Sequence, residues 1–328
     1  MIWPPREIPE IPEAIINAAE KGKLLIFVGA GVSRLLDYPS WGQFADQLLE
    51  KLASDGHITF GEIMLLQDLD AKKKLTIAVQ LAEKLVSEKY LFKFYEEKFY
   101  KDTDQNESPY KYLNELNCPF ITTNYDTCLD SYRNSKIRET SKEGGESKGI
   151  EDESLPIICE PEDFNESELR TPPKTIHLHG SVIKPSSMIV TAGDYLKRYS
   201  DPSTNVQNFL SDVFKNYTVL FLGYGLDEAE ILEHTLLKGN IKKTSDNKQA
   251  YKRFVLQGFY SYQRTTCEYL DKYYKETFGV ATVPYTMEYK NYDQLKVVIE
   301  DWCSKLKGII KPPLLSEDAK FLLEAMNE

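Results

Sequence analysis

Four short apolar segments in this chain each run into a glycine or a polar residue, and longer stretches of helical periodicity separate them. The segments and the residues that follow them are Lys23–Val28 with Gly29, Pro119–Thr123 with Asn124, Thr175–His179 with Gly180, and Thr218–Leu222 with Gly223. Two later runs, 253–257 and 280–285, have the same strand-like composition. Strands that alternate with helices predict an α/β fold with a doubly wound, mostly parallel, Rossmann-like sheet.

The helical stretches predict how this sheet is covered. Residues 40–118 are expected to form a helical insertion, because 41–52 carry an apolar face at three- and four-residue spacing and 74–100 are dense in aromatic residues. We interpret those aromatic side chains as core packing; a stacking platform for nucleobases is the alternative. A helix capped by Asn291 is expected to turn five apolar side chains inward: Leu295, Val298, Ile299, Trp302 and Leu306.

Residues 1–311 are expected to form one domain. Within it, residues from about 134 to 173 are polar and contain the pair Gly144-Gly145, which is typical of a flexible loop. The pair Pro312-Pro313 then introduces residues 312–328, which are predicted to form an amphipathic C-terminal helix.

Composition excludes several classes of protein. The 328 residues carry a formal charge of -11, which argues against the broad basic face that non-specific nucleic-acid binding requires. No apolar run approaches the roughly 20 residues that span a bilayer. The first twelve residues contain four prolines instead of the basic start and apolar stretch of an export signal. We therefore expect a cytoplasmic protein without membrane contact.

The five cysteines are odd in number and widely spaced, with no Cys-x-x-Cys pair. They are Cys118, Cys128, Cys159, Cys267 and Cys303. This pattern predicts neither a disulfide framework nor a structural zinc site. His177 and His179 would point the same way on a strand, which makes a metal site conceivable, but no cysteine or further histidine supplies the remaining ligands. We expect no bound metal.

The residues at the strand ends form the candidate site. In an open parallel sheet the carboxyl ends of the strands share one edge, and ligands bind in the crevice there. Gly29-Ala30-Gly31-Val32-Ser33 permits a tight turn and a close approach to a pyrophosphate; a glycine turn without a ligand is the alternative. Arg34 stands where the dehydrogenase pattern has a third glycine, which disfavours a hydride-transfer enzyme. Asn124 or Asp126 could instead cap a helix.

Together these motifs resemble the SIR2 family, and more closely its SIR2-like branch of bacterial NAD+-consuming enzymes, many of which act in antiphage defence. Gly-Ala-Gly-Val-Ser at 29–33 looks like the family's phosphate loop, and Thr-Asn-Tyr-Asp at 123–126 looks like its nicotinamide-ribose segment. His179-Gly180 is similar to its catalytic histidine motif, and Gly223-Tyr224-Gly225 is similar to its late glycine loop. The similarity extends over about residues 20–305.

Two departures distinguish this chain from the deacylating sirtuins. Those enzymes carry two zinc-binding Cys-x-x-Cys pairs after the histidine, whereas residues 181–210 contain no cysteine here. Their Pro-Asp-Phe-Arg segment reads Pro39-Ser40-Trp41-Gly42 in this chain. The resemblance therefore implies an NAD+ glycohydrolase that uses water. A protein deacylase or ADP-ribosyltransferase is one alternative, and a non-catalytic NAD+ or ADP-ribose sensor is another.

The resemblance also implies a role for each matched residue. Asn124 would orient the ribose and the attacking water, and His179 would act as general base, for which an ordinary pKa of about 6.5 is suitable. Asp126 would hold the nicotinamide carboxamide. The two glycine loops would contact the ribose and phosphates at Gly29, Ala30, Gly31, Ser33, Gly223, Tyr224 and Gly225. The implied partners are NAD+ as substrate, further copies of this chain, and a protein such as a HerA-like ATPase or an Argonaute-like protein.

Overall fold

The computed structural model describes residues 2–100, 108–130, 157–170, 175–200, 205–224 and 252–311. In this part of the chain six strands form one sheet in the order β3-β2-β1-β4-β5-β6, and all neighbouring strands are parallel. The strands are β1 (Leu24–Val28), β2 (Phe120–Thr122), β3 (Thr175–His177), β4 (Thr218–Leu222), β5 (Arg253–Phe259) and β6 (Ala281–Thr286). The predicted parallel Rossmann-like sheet is confirmed, and each predicted strand is present.

Burial on both faces of the sheet explains why the strands read as continuous apolar runs. All five residues of β1 are buried. Leu24, Ile26 and Val28 face one apolar layer, whereas Leu25 and Phe27 face the other. Two covered faces are what a doubly wound sheet requires.

Helices supply both layers, and several of them begin at a side-chain cap. Ser40 and Thr59 each form a capping box, with Gln43 and Glu62 respectively. A further helical turn begins at Cys128. The helix bounds are Glu13–Glu20, Ala30–Ser33, Trp41–Ser54, Phe60–Leu65, Ala71–Leu85, Glu88–Phe99, Pro109–Asn114, Ala192–Ser200, Val206–Asn216, Arg264–Phe278 and Gln294–Lys307.

The aromatic side chains of 74–100 pack mainly in the core, as interpreted from the sequence. Phe44 stacks on Phe94 with ring centroids 5.6 Å apart, and Phe99 packs edge to face on Phe44 at 4.8 Å. Tyr95 is buried as well, whereas Tyr100 is 61% exposed. The core-packing interpretation is therefore confirmed for these inner rings and is wrong for Tyr100.

The helix Gln294–Lys307 buries all five of its predicted inward residues. Its predicted cap is wrong, because Asn291 has a φ of 50° and begins a 3-10 turn that ends at Asp293. A helix cap uses extended backbone, which this left-handed conformation cannot supply. The Asn291 side chain instead accepts a hydrogen bond from the Tyr260 hydroxyl at 3.1 Å.

Part of the expected loop at 134–173 is described, and that part packs against the sheet. Ile158 forms a parallel bridge with Ile176 of β3, and Phe164 and Leu169 are fully buried. The rest of this loop, 134–156 and 171–173, lies outside the described residues, as does the expected helix at 312–328. Across the described ranges, no helix is both long and apolar enough to cross a bilayer.

Candidate active site

The four motif-bearing strands end at the same level of the sheet. Val28, the last residue of β1, pairs with Thr122 of β2 on one side and with Leu222 of β4 on the other. Thr122 pairs in turn with His177, the last residue of β3. The strand order also reverses between β1 and β4, which is where open parallel sheets bind ligands. The motifs therefore share one edge, as the parallel topology predicts.

The glycine loop after β1 packs directly against the glycine after β4. The Gly31 amide donates to the Gly223 carbonyl at 2.7 Å, and the Gly29 amide donates to the Leu222 carbonyl at 2.9 Å. A Cβ atom on Gly29 or Gly31 would lie 2.7 or 2.6 Å from the Gly223 oxygen. Close backbone approach thus explains these glycines without a ligand, while Ala30 between them lines a cleft.

Replacing Gly223 is expected to damage this contact. Gly223 has a φ of +60°, and an added Cβ would lie 2.8 Å from Val32 Cγ2 and closer still to the Val32 amide. We expect Gly223→Ala to lower the free energy of unfolding by about 2 kcal/mol or more, from left-handed strain and overlap together. Gly42→Ala is the matched control, since a Cβ there meets nothing within 4 Å. Equal urea midpoints for the two variants would contradict the prediction.

Tyr224 and Gly225 are the other two residues of the late glycine loop. Tyr224 is 8% exposed, and its ring packs edge to face on Phe27 at 5.5 Å, within the apolar layer on one face of the sheet. Gly225 lies outside the described residues.

Asn124 is the centre of a buried hydrogen-bond network. Its Nδ2 donates to the Gly29 carbonyl at 3.1 Å and lies 2.8 Å from Ser33 Oγ and 3.1 Å from the Tyr110 hydroxyl. Its Oδ1 is buried and has no hydrogen-bond partner among the described residues. Buried polar atoms nearly always have partners, and Asn124 lines a cleft, so its oxygen has acceptor capacity left for a ligand hydroxyl or a water.

Asp126 joins the network from the other side. Ser33 Oγ donates to Asp126 Oδ2 at 2.7 Å, and Asp126 Oδ1 accepts from the Cys128 amide at 3.1 Å. Asp126 therefore caps the helical turn at Cys128, which was one of the two roles left open by the sequence. The structure brings Ser33, Asn124 and Asp126 together.

Tyr110 is a member of this network that sequence reasoning missed. Its hydroxyl lies 2.8 Å from Ser33 Oγ, and its side chain is fully buried. Burial, followed by the charges of Asp126 and Cys128, raises the pKa of Tyr110 well above its ordinary value. The local pattern marks only a helix start, with Pro109 in the first turn, and nothing separates Tyr110 from the other tyrosines of the chain.

A cleft with a largely aromatic wall opens beside Asn124. Together with its mouth it encloses about 430 Å³. Trp41 and Phe99 each meet Tyr125 edge to face, at 5.9 and 5.1 Å. Ser40 caps the helix that begins at Trp41, and this helix start places the Trp41 indole in the wall of the cleft. The lining residues are Ala30, Ser33, Tyr38, Pro39, Trp41, Phe44, Phe99, Thr123, Asn124, Tyr125 and Asp126.

His179 does not line this cleft. It is 2% exposed, with Nε2 at 2.9 Å from the Tyr199 hydroxyl and Nδ1 at 3.3 Å from the Tyr195 hydroxyl. Both tyrosines belong to the helix Ala192–Ser200. The Tyr195 ring lies 6.1 Å from Trp41, so ring contacts through Tyr195 and Trp41 connect His179 to the cleft.

Burial makes His179 a weaker base than its ordinary pKa implies. Desolvation first, and then the charges of Arg198 and Lys72, lower the pKa of His179 to about 3. The imidazole is therefore neutral at physiological pH, and in this arrangement it is a weak base. The argument from an unperturbed pKa near 6.5 is corrected by the burial of the ring.

His177 has the opposite charge state. Its Nδ1 faces the Asn124 carbonyl at 3.1 Å, and its Nε2 faces Asp130 Oδ2 at 2.8 Å. Both partners only accept, so both ring nitrogens must donate, which makes the ring an imidazolium. Burial alone would lower the pKa of His177, but the charge of Asp130 and these hydrogen bonds raise it above its ordinary value. His177 thus holds the backbone at Asn124.

The two histidines are expected to link stability to pH in opposite directions. The stability that His177 contributes is present below pH 6.5 and is lost as the pH rises through its raised folded pKa. Between pH 6.5 and about 3 the unfolded chain binds a proton at His179 and the folded chain does not. The folded chain therefore becomes less stable as the pH is lowered through this range. Denaturant titrations at several pH values measure the free energy of unfolding. His177→Gln should lose less of it as the pH rises than wild type does, and His179→Gln should lose less of it as the pH falls. Unchanged pH profiles in both variants would contradict this.

No group of three or more His, Cys, Asp or Glu side chains that could hold a metal ion occurs in the described residues. β3 ends at His177, so the pleat does not carry His179 to the same side, and the two rings bond to different partners. The expectation that the protein needs no metal stays a prediction, which elemental analysis tests.

Comparison with known proteins connects the motifs that follow β2, β3 and β4 to a family. Residues 119–278 match the family model described as a SIR2-like domain. The chain is also similar to "Defense-associated sirtuin 2" of Bacillus subtilis, with 25% identity over 233 residues. That match covers 68% of this chain and 20% of the relative, so it spans about a fifth of the relative's length. The family match includes Asn124, His179 and Gly223.

Proposed function

Because this chain carries a SIR2-like domain, we propose that it binds NAD+ and cleaves it with water to nicotinamide and ADP-ribose. The observation that carries this proposal is the unpartnered Oδ1 of Asn124, which is buried beside a cleft and fixed by a hydrogen-bond network to Ser33. An acceptor held in this way suits a ribose hydroxyl or the attacking water.

The cleft suits the nicotinamide end of the substrate. Its aromatic wall, including Trp41, Phe99 and Tyr125, favours a flat cationic ring through contact with the ring faces and edges. Asp126 lines the same cleft and is proposed to hold the carboxamide. The ribose and phosphates are proposed to lie along the glycine loops at Gly29, Ala30, Gly31, Ser33, Gly223, Tyr224 and Gly225.

The proposed reaction breaks the bond between ribose C1′ and the pyridinium nitrogen. The bonding electrons leave with nicotinamide, which becomes neutral, so little acid catalysis is required. The water oxygen forms the new bond to C1′, and its proton passes to His179 or to solvent. The neutral imidazole of His179 can accept that proton only after one of its tyrosine contacts opens, because both ring nitrogens face hydroxyl groups.

One observation favours a second candidate function. His179 is sealed by Tyr195 and Tyr199 and does not line the cleft, which suits a module that binds NAD+ or ADP-ribose without turnover. A protein deacylase or ADP-ribosyltransferase remains the other alternative. The sequence from 181 to 210 contains no cysteine to build the zinc module of deacylating sirtuins, which supports water as the acceptor.

The biological setting is proposed from the relative. The similarity to a protein named "Defense-associated sirtuin 2" supports a regulated, NAD+-depleting effector of antiphage defence. We propose that it works as a homo-oligomer or with a second protein, such as a HerA-like ATPase or an Argonaute-like protein. An NADase that acted without control would exhaust a cofactor on which its own cell depends.

Free nicotinamide and ADP-ribose measured after incubation with NAD+ separate the candidates. Hydrolysis in the absence of an acceptor is the expected result. Product formation that depends on an acyl-lysine peptide or an acceptor protein would instead support a transferase. Calorimetric NAD+ binding without turnover, with the enzyme in excess and with partner proteins added, would support the sensor.

A further inference from the structure

We propose that Tyr110 is a positioning residue for Asn124 in the cleavage of NAD+, an inference that rests on the proposed function. Tyr110 lies on the helix Pro109–Asn114, ahead of β2, and its hydroxyl contacts two residues that line the cleft, Ser33 and Asn124. It belongs to none of the sequence motifs.

Two groups that can only accept determine the direction of each hydrogen bond. The Gly29 carbonyl faces the Asn124 side chain, so the nitrogen of the amide must lie on that side. Ser33 Oγ gives its one proton to the Asp126 carboxylate at 2.7 Å, so it accepts at its other contacts. The Tyr110 hydroxyl therefore donates to Ser33 at 2.8 Å, and its oxygen accepts from Asn124 Nδ2 at 3.1 Å.

Tyr110 thereby closes a ring of hydrogen bonds that fixes the plane of the Asn124 amide. The two N–H groups of Nδ2 are shared among three acceptors, at Gly29, Ser33 and Tyr110, and Oδ1 is left without a partner among the described residues. The hydroxyl is fully buried, and burial raises its pKa well above the ordinary range, so it remains a donor throughout the working pH range. A residue that merely satisfied its own hydroxyl would need one partner instead of these two.

Tyr110→Phe keeps the buried ring and removes the group that reaches the network. We expect kcat for NAD+ cleavage to fall about tenfold, which is the effect of losing one well-oriented hydrogen bond. KM should stay within about twofold of wild type, because Tyr110 itself is not placed against substrate. This split distinguishes a positioning role from general loosening of the site.

The experiment compares wild type, Tyr110→Phe, Ser33→Ala and the double variant by nicotinamide release across NAD+ concentrations. Tyr217→Phe is the matched control, since Tyr217 is 2% exposed and precedes β4 at the opposite edge of the sheet. A positioning role predicts a lower kcat for Tyr110→Phe, wild-type kinetics for Tyr217→Phe and a less than additive loss in the double variant, because Ser33→Ala already breaks the link.

Two outcomes overturn the inference alone: an active wild type whose kcat is unchanged by Tyr110→Phe, or losses that add fully in the double variant. A wild type that releases no nicotinamide, with enzyme in excess and in its assembled form, overturns the proposed function and this inference together. The wild-type measurement therefore tells the two failures apart.

Discussion

His179→Ala is expected to lower kcat for NAD+ cleavage by about 10²- to 10⁴-fold, the usual cost of losing a general base. Asn124→Ala is expected to cost at least about 10²-fold, because it removes the unpartnered oxygen that is proposed to hold the ribose or the water. In the proposed mechanism the two side chains have different roles, so neither is expected to replace the other. Nicotinamide release under single-turnover conditions measures both losses.

The controls for these variants are residues of the same type away from the site. His57 and Asn165 are exposed, so His57→Ala and Asn165→Ala should keep wild-type turnover. Circular dichroism and thermal melting establish that each site variant is folded. Near-wild-type turnover by a folded His179→Ala or Asn124→Ala would show that the site assignment is wrong.

A His177→Ala variant is expected to fail for a different reason from His179→Ala. The structure gives His177→Ala a cost in stability, because His177 pairs with Asp130. Asp130 is 12% exposed at its side chain and would lose its imidazolium partner, a change that costs about 3 kcal/mol when a buried pair is broken. The expected defect is in stability, and turnover should be compared at a temperature at which this variant remains folded.

The fold could be predicted because its signals are local. Strand β1 is buried along its whole length, so its apolar run ends where the strand ends and Gly29 begins a turn. The parallel order then places Asn124 and the β3 end on one edge. Asn291 was misread because a left-handed residue before a helix looks, in sequence, like an ordinary cap.

The site could be predicted only in part because its remaining features are tertiary. Tyr110 reaches Ser33 across 77 positions of sequence, and no spacing rule marks that contact. The pKa of His179 depends on burial under Tyr195 and Tyr199, which the motif around it does not encode. The glycines at 29 and 31 suggested a phosphate loop, yet the approach of Gly223 is sufficient to require them.

The isolated chain is expected to cleave NAD+ slowly, and Tyr195→Ala is expected to raise this basal rate at least about tenfold. The Tyr195 hydroxyl hydrogen-bonds His179 Nδ1, and the Tyr195 ring contacts Trp41. Removing the Tyr195 side chain frees one nitrogen of the His179 ring and opens a path from the cleft to His179. A hydrogen bond and a ring contact together are worth about 1.4 kcal/mol or more, which is a factor of ten in the population of the open site.

The same contact shows how an assembly could control turnover. The Ala192 amide at the start of the Tyr195 helix donates to Thr76 Oγ1 at 3.0 Å, and Lys72 lies 4.3 Å from the Tyr195 ring centroid. A partner that shifts the helix Ala71–Leu85 would therefore pull on the cover of His179, as lids that set turnover do. Leu196→Ala is the matched control, since Leu196 is 64% exposed on the same helix. Full-speed hydrolysis by monomeric wild type, unchanged by Tyr195→Ala or by partner proteins, would show that His179 is not gated by this helix.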